Sequence, residues 1–126
     1  MKDADILALL AQAEAHFQYY RWDEALACFE QVLQAAPQHP GARDGVRKTQ
    51  RKKQVEANMA EAIGEAREAL QTRRYDLALN ALARAQTLGA DETILNHHAE
   101  IQGLREDIQQ QVQWQKRVAL GFRRGG

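Results

Sequence analysis

A pattern of small and large apolar residues over residues 22–37 constrains the fold of this 126-residue chain more than any other feature. Ala25 stands four residues before Phe29, Val32 follows three residues later, and Pro37 closes the segment. Steps of three and four residues place such side chains on one face of a helix. A weaker copy of the pattern occupies residues 75–85. The chain is therefore expected to consist of repeated helical hairpins.

Composition favours helix almost throughout and narrows the class of protein. Both prolines lie near residue 40, and no segment alternates between apolar and polar residues as a strand does. Lys and Arg number 17, as do Asp and Glu, and a net charge of zero argues against non-specific binding of nucleic acid or membrane by the whole surface. The single cysteine, Cys28, excludes an internal disulfide and indicates a reducing, cytoplasmic environment. No apolar run approaches the roughly 20 residues of a membrane-spanning helix.

These signals predict an all-α chain of about five helices in a single domain over residues 1–120. Gly45 and Gly64 fall inside the longest helix, where each is expected to be tolerated at a cost of about 1 kcal/mol relative to alanine. The predicted segments are a first hairpin over residues 3–37, a long helix over 40–73, a second hairpin over 59–90, a capping helix over 91–120 and a flexible tail over 121–126.

Helix boundaries are predicted from capping residues. Asp23 and Asp76 are suited to cap the second and fourth helices, because a carboxylate accepts hydrogen bonds from the free N–H groups of the first turn. Gly89 suits the left-handed position that follows a helix end. Asp91 is then expected to cap the fifth helix.

The same residues resemble the tetratricopeptide repeat, a helix–turn–helix unit of about 34 residues. In that family, small residues stand where the two helices of a hairpin cross. The two copies here cover about half of the chain, and their packing positions are Ala13, Trp22, Ala25, Phe29, Pro37, Ala66, Tyr75, Ala78 and Leu82. The spacing departs from the family, because Ala25 and Ala78 are 53 residues apart. The resemblance implies helical hairpins along one long central helix and a protein-binding adaptor without catalysis.

The resemblance also implies a binding surface on the concave face, which the first helix of each hairpin lines. Family members that bind chaperone C-termini hold a carboxylate there with Lys and Asn, whereas Glu14 stands at the matching position and disfavours such a ligand. The alternative is that Phe17, Ile63 and Leu70 are core residues and the others are merely solvated. By position, the expected contacts to a protein or peptide segment are Glu14, Phe17, Gln18, Ile63, Arg67, Leu70 and Gln71.

A basic run in the long helix suggests a second kind of partner. Its side chains could neutralise phosphates, but no aromatic residue interleaves with them to stack on bases. Residues 1–36 carry six acidic and two basic side chains, so an acidic protein, a second copy of this chain or simple solvation explains the run better than nucleic acid. The run consists of Arg43, Arg47, Lys48, Arg51, Lys52 and Lys53.

Two further expectations concern assembly and chemistry. Trp114 and a partial heptad in the fifth helix suggest a homodimer as the alternative function. Cys28 has no recognisable base partner, and the adjacent His97 and His98 point about 100° apart on a helix, which does not suit a metal site. No phosphate-binding loop or nucleophile elbow is present. The sequence therefore predicts neither catalysis nor a cofactor nor a metal.

Overall fold

The computed structural model describes the backbone of residues 1–125 and the side chains of residues 1–121. Within that range the chain forms five helices and no strand, so the predicted all-α class is confirmed. None of the helices in the described range combines the length and the hydrophobicity that crossing a membrane requires. The helices are α1 (Asp3–Gln18), α2 (Trp22–Ala35), α3 (Pro40–Gln71), α4 (Tyr75–Glu92) and α5 (His98–Gly125).

The chain divides into two compact units, which are Met1–Val55 (unit 1) and Glu56–Gly126 (unit 2). The boundary falls inside α3, so the first half of this helix belongs to unit 1 and the second half to unit 2. Each unit has its own cluster of buried apolar side chains. The single domain expected over residues 1–120 stays a prediction.

Unit 1 is held together by small residues at the points where its helices meet. Ala13 of α1 and Ala25 of α2 are fully buried in one cluster with Phe29 and Val32. Without long side chains between them, two helices can approach closely. Partly buried residues that pack against this cluster are Ile6, Leu9, Leu10, Phe17, Leu33 and Val46.

Gly45 allows α3 to approach α2 closely. A Cβ atom at this position would lie 2.4 Å from two ring carbons of Phe29, a separation that real Cβ atoms do not show. One turn later, the buried hydroxyl of Thr49 donates a hydrogen bond to the Gly45 carbonyl at 2.6 Å. The expectation that Gly45 is merely tolerated is therefore wrong, because the packing of Phe29 requires a residue without a side chain there.

Unit 2 repeats this use of alanine around a different set of large residues. Ala66 of α3 and Ala78 of α4 are buried, and Leu82 is fully buried at the position that corresponds to Phe29. The α5 helix contributes Ile101 and Ile108 to the same cluster. Among the other predicted packing residues, Trp22 of unit 1 is buried, whereas Tyr75 is half-buried and Pro37 is exposed.

Three helix ends share one hydrogen-bonding pattern, the Schellman motif, although none of them contains glycine at the left-handed position. The left-handed residues are Tyr20, Arg73 and Thr93, with φ values of 62°, 59° and 56°. In each case the next residue's N–H donates to the carbonyl five residues earlier. These bonds run from Arg21 to His16 (2.9 Å), from Arg74 to Ala69 (2.8 Å) and from Ile94 to Gly89 (2.8 Å).

The turns inside the two hairpins have the same backbone conformation. Arg21, which precedes α2, has φ/ψ of −94°/74°, and Arg74, which precedes α4, has −93°/71°. These residues are the N-caps, and neither makes a side-chain capping bond. The predicted caps Asp23 and Asp76 are therefore wrong by two residues. They lie in the first turns of α2 and α4, where a negative charge still interacts favourably with the helix dipole.

Two other predicted boundaries are corrected around the end of α4. This helix continues to Glu92, so Gly89 and Asp91 lie inside it, and α5 begins at His98 instead of Asp91. Gly89 is needed for packing, since a Cβ there would lie 2.7 Å from both the Met59 methyl carbon and the Ile94 carbonyl oxygen. The α5 helix extends through the expected tail as far as Gly125, while residue 126 lies outside the described residues. The flexibility of that tail stays a prediction.

Candidate functional site

A groove with a volume of about 510 Å³ opens in unit 1 between α1, α2 and the first half of α3. It contains all three residues that the sequence assigns to the concave face of the first hairpin. We refer to it as the unit 1 groove, and it is lined by Leu10, Glu14, Phe17, Gln18, Phe29, Gly41, Asp44, Gly45 and Lys48.

The floor of the unit 1 groove is apolar and well supported. Leu10 and Phe17 are half-buried against the unit 1 cluster, and Phe29 belongs to that cluster. The edge of the Phe17 ring packs on Trp22, with ring centroids 5.2 Å apart and planes at 72°. Gly41 and Gly45 present backbone on the α3 side of the groove, and the ring of Phe29 packs directly against Gly45.

The rim of the unit 1 groove carries two carboxylates, of which one is paired with cations and the other is not. Asp44 accepts from Lys48 and from Arg47, each at 3.0 Å. These hydrogen bonds hold the pKa of the Asp44 carboxyl below its ordinary value, and the bond from Lys48 lowers it more than the bond from Arg47. Glu14, on the opposite side in α1, is exposed and makes no ion pair with any residue that the structure describes. The rim therefore offers an uncompensated carboxylate beside an apolar floor.

The four concave-face residues predicted for the second hairpin lie in unit 2, where α5 partly covers them. Ile63 is only 3% exposed and belongs to the core, so its assignment to a binding surface is corrected. Arg67 pairs with Glu100 of α5 at 3.3 Å. Leu70 and Gln71 line a smaller cavity of about 290 Å³, together with Arg73, Tyr75, Asp107, Gln110 and Gln111. The alternative interpretation, that part of the set is core, holds for Ile63.

The basic run is partly neutralised by neighbouring acids. Lys48 and Arg47 pair with Asp44, and Lys53 donates to Asp23 of α2 at 2.6 Å. Arg43 donates to the side-chain oxygen of Gln38 at 3.1 Å. On the same helix, Arg51 is exposed and Lys52 is half-buried. Because several of these charges already have partners, the run is a weaker phosphate site than its sequence suggests.

The second half of α5 exposes large apolar side chains. Trp114 is 62% exposed, Val118 46% and Leu120 57%. Beside them, Gln115 donates a long hydrogen bond of 3.4 Å to the Tyr75 hydroxyl. A cavity of about 370 Å³ lies here, lined by Arg73, Tyr75, Gln111, Trp114, Gln115, Val118 and Ala119.

Residue types that could bind a metal ion are dispersed over the part of the chain that the structure describes. No group of three or more His, Cys, Asp or Glu side chains in this range could hold a metal ion. Cys28 is buried in the unit 1 cluster, and His97 lies 3.7 Å from Glu56 in unit 2.

Gly41 and Gly45, which line the groove on the α3 side, are not among the predicted site residues. They stand four residues apart within a charged segment, and this spacing of small residues on one helix face was the available signal. Comparison of the chain with protein-family models, with curated proteins and with solved structures found no match.

Proposed function

We propose that this protein is a non-catalytic interaction module whose unit 1 groove holds a segment of a protein partner. The observation that carries the proposal is the groove itself, an apolar floor with an uncompensated carboxylate on its rim. Its volume of about 510 Å³ falls in the range of sites that hold ligands. The resemblance to the tetratricopeptide repeat and the matching turns at Arg21 and Arg74 support this function.

The chemistry of the groove favours a segment with one large apolar side chain next to a basic one. Phe17, Phe29 and Leu10 provide the contact for the apolar side chain, whose burial supplies most of the free energy of binding. Glu14 attracts a Lys or Arg and repels a carboxylate, so a C-terminal carboxylate is disfavoured as the ligand. A charge on the rim contributes more to selectivity than to affinity.

A second candidate function is assembly of this chain into a homo-oligomer. The specific observation in its favour is the exposure of Trp114, Val118 and Leu120 on α5. Large apolar side chains that lie exposed near one another often mark a contact surface. Phosphate binding by the basic run has less support, because Asp44 and Asp23 already pair with part of it.

A peptide-display selection against the full chain tests the proposed function. We expect enriched peptides to contain an aromatic or large aliphatic residue within a few positions of Lys or Arg. The affinity of each selected peptide is then measured by tryptophan fluorescence on the Trp114→Phe variant, in which Trp22 is the only tryptophan. Because Trp22 packs on Phe17 of the groove, its fluorescence reports binding.

Two charge reversals of equal size provide the matched comparison. Glu14→Arg is expected to weaken the selected peptides about tenfold, whereas Glu24→Arg, exposed on α2 and outside the groove lining, leaves their affinity unchanged. The proposal fails if no peptide is enriched over repeated selections. It also fails if the enriched peptides bind the Glu14→Arg variant as well as the parent.

A further inference from the structure

We infer that the unit 1 groove accepts the exposed second half of α5, residues 111–121, from a second copy of this chain. The inference rests on the proposed function, because it names the partner of the same groove. It connects two features of the described residues, which are the groove with its apolar floor and the exposed apolar side chains of α5.

The second half of α5 is left uncovered by the rest of unit 2. The first half of this helix buries Ile101 and Ile108 in the unit 2 core, but every described side chain from residue 113 to residue 121 is exposed. Trp114 and Val118 stand four residues apart and so share one face of the helix. An amphipathic helix that lays such a face into an apolar groove is a recurrent mode of recognition.

The charges of α5 disfavour the simplest use of this face, which is pairing of two α5 helices. Between Ile108 and Gly121 the charged residues are Lys116 and Arg117, and no acidic residue accompanies them. Arg117 borders the face that carries Trp114 and Val118, so two such faces packed together would bring the Arg117 side chains of the two copies close to one another. Lys116, in contrast, points to the opposite side of the helix. Juxtaposition of like charges opposes association, so the sequence of α5 disfavours self-pairing of this stretch.

The unit 1 groove of a second copy is a better surface for this face of α5 than another α5 helix. Its floor of Leu10, Phe17 and Phe29 is apolar, and the Glu14 carboxylate on its rim has no ion pair among the described residues. Among the acidic residues of α1 and α2, Glu14 is the one that lines the groove. The groove therefore complements α5 with an apolar floor for Trp114 and Val118 and the Glu14 carboxylate for Arg117, while Lys48 on the α3 side of the rim is paired with Asp44.

The contact is heterologous, since a groove on one copy meets a helix on another. Each copy then still offers one unused groove and one unused helix. Such contacts extend into open chains, or close into a ring if the rotation between copies permits. The inference therefore predicts assembly that grows with concentration and does not stop at a dimer unless a ring of two closes.

Sedimentation velocity on the full chain from about 5 to about 500 µM tests the inference. We expect the sedimentation coefficient to rise with concentration. Glu14→Arg in the groove and Trp114→Ala on α5 should each weaken association about tenfold. The controls Glu24→Arg and Leu77→Ala change an exposed charge and an exposed apolar residue elsewhere and should have no effect.

A mixture of the two single variants gives the sharpest result. The Trp114→Ala copy keeps an intact groove and the Glu14→Arg copy keeps an intact helix, so together they should form a one-to-one complex that grows no further. A chain that stays monomeric over the whole range overturns the inference. So does association that survives Glu14→Arg, since this would indicate pairing through α5 alone. Selected peptides that bind a strictly monomeric chain would overturn the inference and leave the proposed function standing.

Discussion

Gly45 and Gly64 occupy the same helix but have opposite environments. A Cβ at residue 45 would collide with the Phe29 ring, whereas one at residue 64 meets nothing within 4 Å. We expect Gly45→Ala to destabilise the protein by about 1–3 kcal/mol through overpacking. Gly64→Ala should stabilise it by up to about 1 kcal/mol, because alanine is the better helix former. Urea denaturation followed by circular dichroism measures both, and shifts of the same sign would contradict the packing described for Phe29.

Thr93 is a β-branched residue in the left-handed region, where such residues are strained. Glycine adopts this conformation without steric cost, so Thr93→Gly should stabilise the protein by about 1 kcal/mol. The matched control is Thr87→Gly, an identical change at an exposed position inside α4, which should destabilise it by about 0.3 kcal/mol because glycine is a poorer helix former than threonine. Thermal unfolding of the two variants decides the point, and a lowered melting temperature for Thr93→Gly would be the contrary result.

Asp44 makes the rim of the unit 1 groove sensitive to acid. Because Lys48 and Arg47 lower the pKa of its carboxyl, the folded chain keeps Asp44 ionised at a pH where the unfolded chain protonates it. The resulting stabilisation is present above the unfolded pKa and is lost as the pH falls below about 4. A carboxyl ¹³C NMR titration should show the lowered pKa. Lys48→Ala should raise it more than Arg47→Ala, and Lys52→Ala should leave it in place.

At this scale the sequence predicted the burial of alanines better than the role of glycines. The small residues Ala13 and Ala25 stand out because their spacing to Phe29 is a one-dimensional pattern. The constraint on Gly45 arises from the distance between α3 and α2, and no local pattern specifies that distance. Helix propensity alone ranked Gly45 and Gly64 as equal.

At the scale of helices, the hairpins depend on alanine at the points of crossing. Ala25 is fully buried in the unit 1 cluster, whereas Ala27 is exposed on the same helix. We expect Ala25→Leu to destabilise the protein by about 1–3 kcal/mol, since a larger side chain forces the helices apart. Ala27→Leu has nearly the same propensity and volume change and should be almost neutral. An unchanged melting temperature for Ala25→Leu would count against close packing of α1 on α2.

The number and order of the helices followed from the sequence, but several ends did not. Asp23 and Asp76 are good capping residues, yet Arg21 and Arg74, which directly follow the left-handed residues Tyr20 and Arg73, are the N-caps, two residues earlier. Gly89 has the appearance of a helix stop, but it lies within α4 because Met59 and Ile94 approach its backbone. Tertiary packing overrides a local preference at Gly89, whereas the turn conformation does so at Asp23 and Asp76.

At the scale of the whole molecule, two separate cores imply two units of cooperative unfolding. Val32→Ala and Ile108→Val remove small groups from fully buried positions, one in each unit, at about 1–2 kcal/mol each. Hydrogen exchange should show that the first lowers amide protection within unit 1 and the second within unit 2. If either change lowered protection throughout the chain, the single domain expected from the sequence would be favoured instead.

The sequence predicted the part of the candidate site that depends on local helix periodicity. It did not predict the part that depends on long-range packing. Glu14, Phe17 and Gln18 line the unit 1 groove because local helix periodicity places them on one face. In unit 2, Ile63 is in the core and Arg67 pairs with Glu100 of α5, more than 30 residues further along the chain. The position of α5 over this face depends on distant contacts, which the repeat pattern does not specify.

The contact between Gly45 and Phe29 also bears on how this protein can evolve. A mutation that adds a side chain at residue 45 is acceptable only after residue 29 has become smaller, so the two positions should covary among descendants of this sequence. Both residues line the unit 1 groove, and such a paired replacement would change its shape. Selection on partner choice and selection on foldability therefore act on the same two codons.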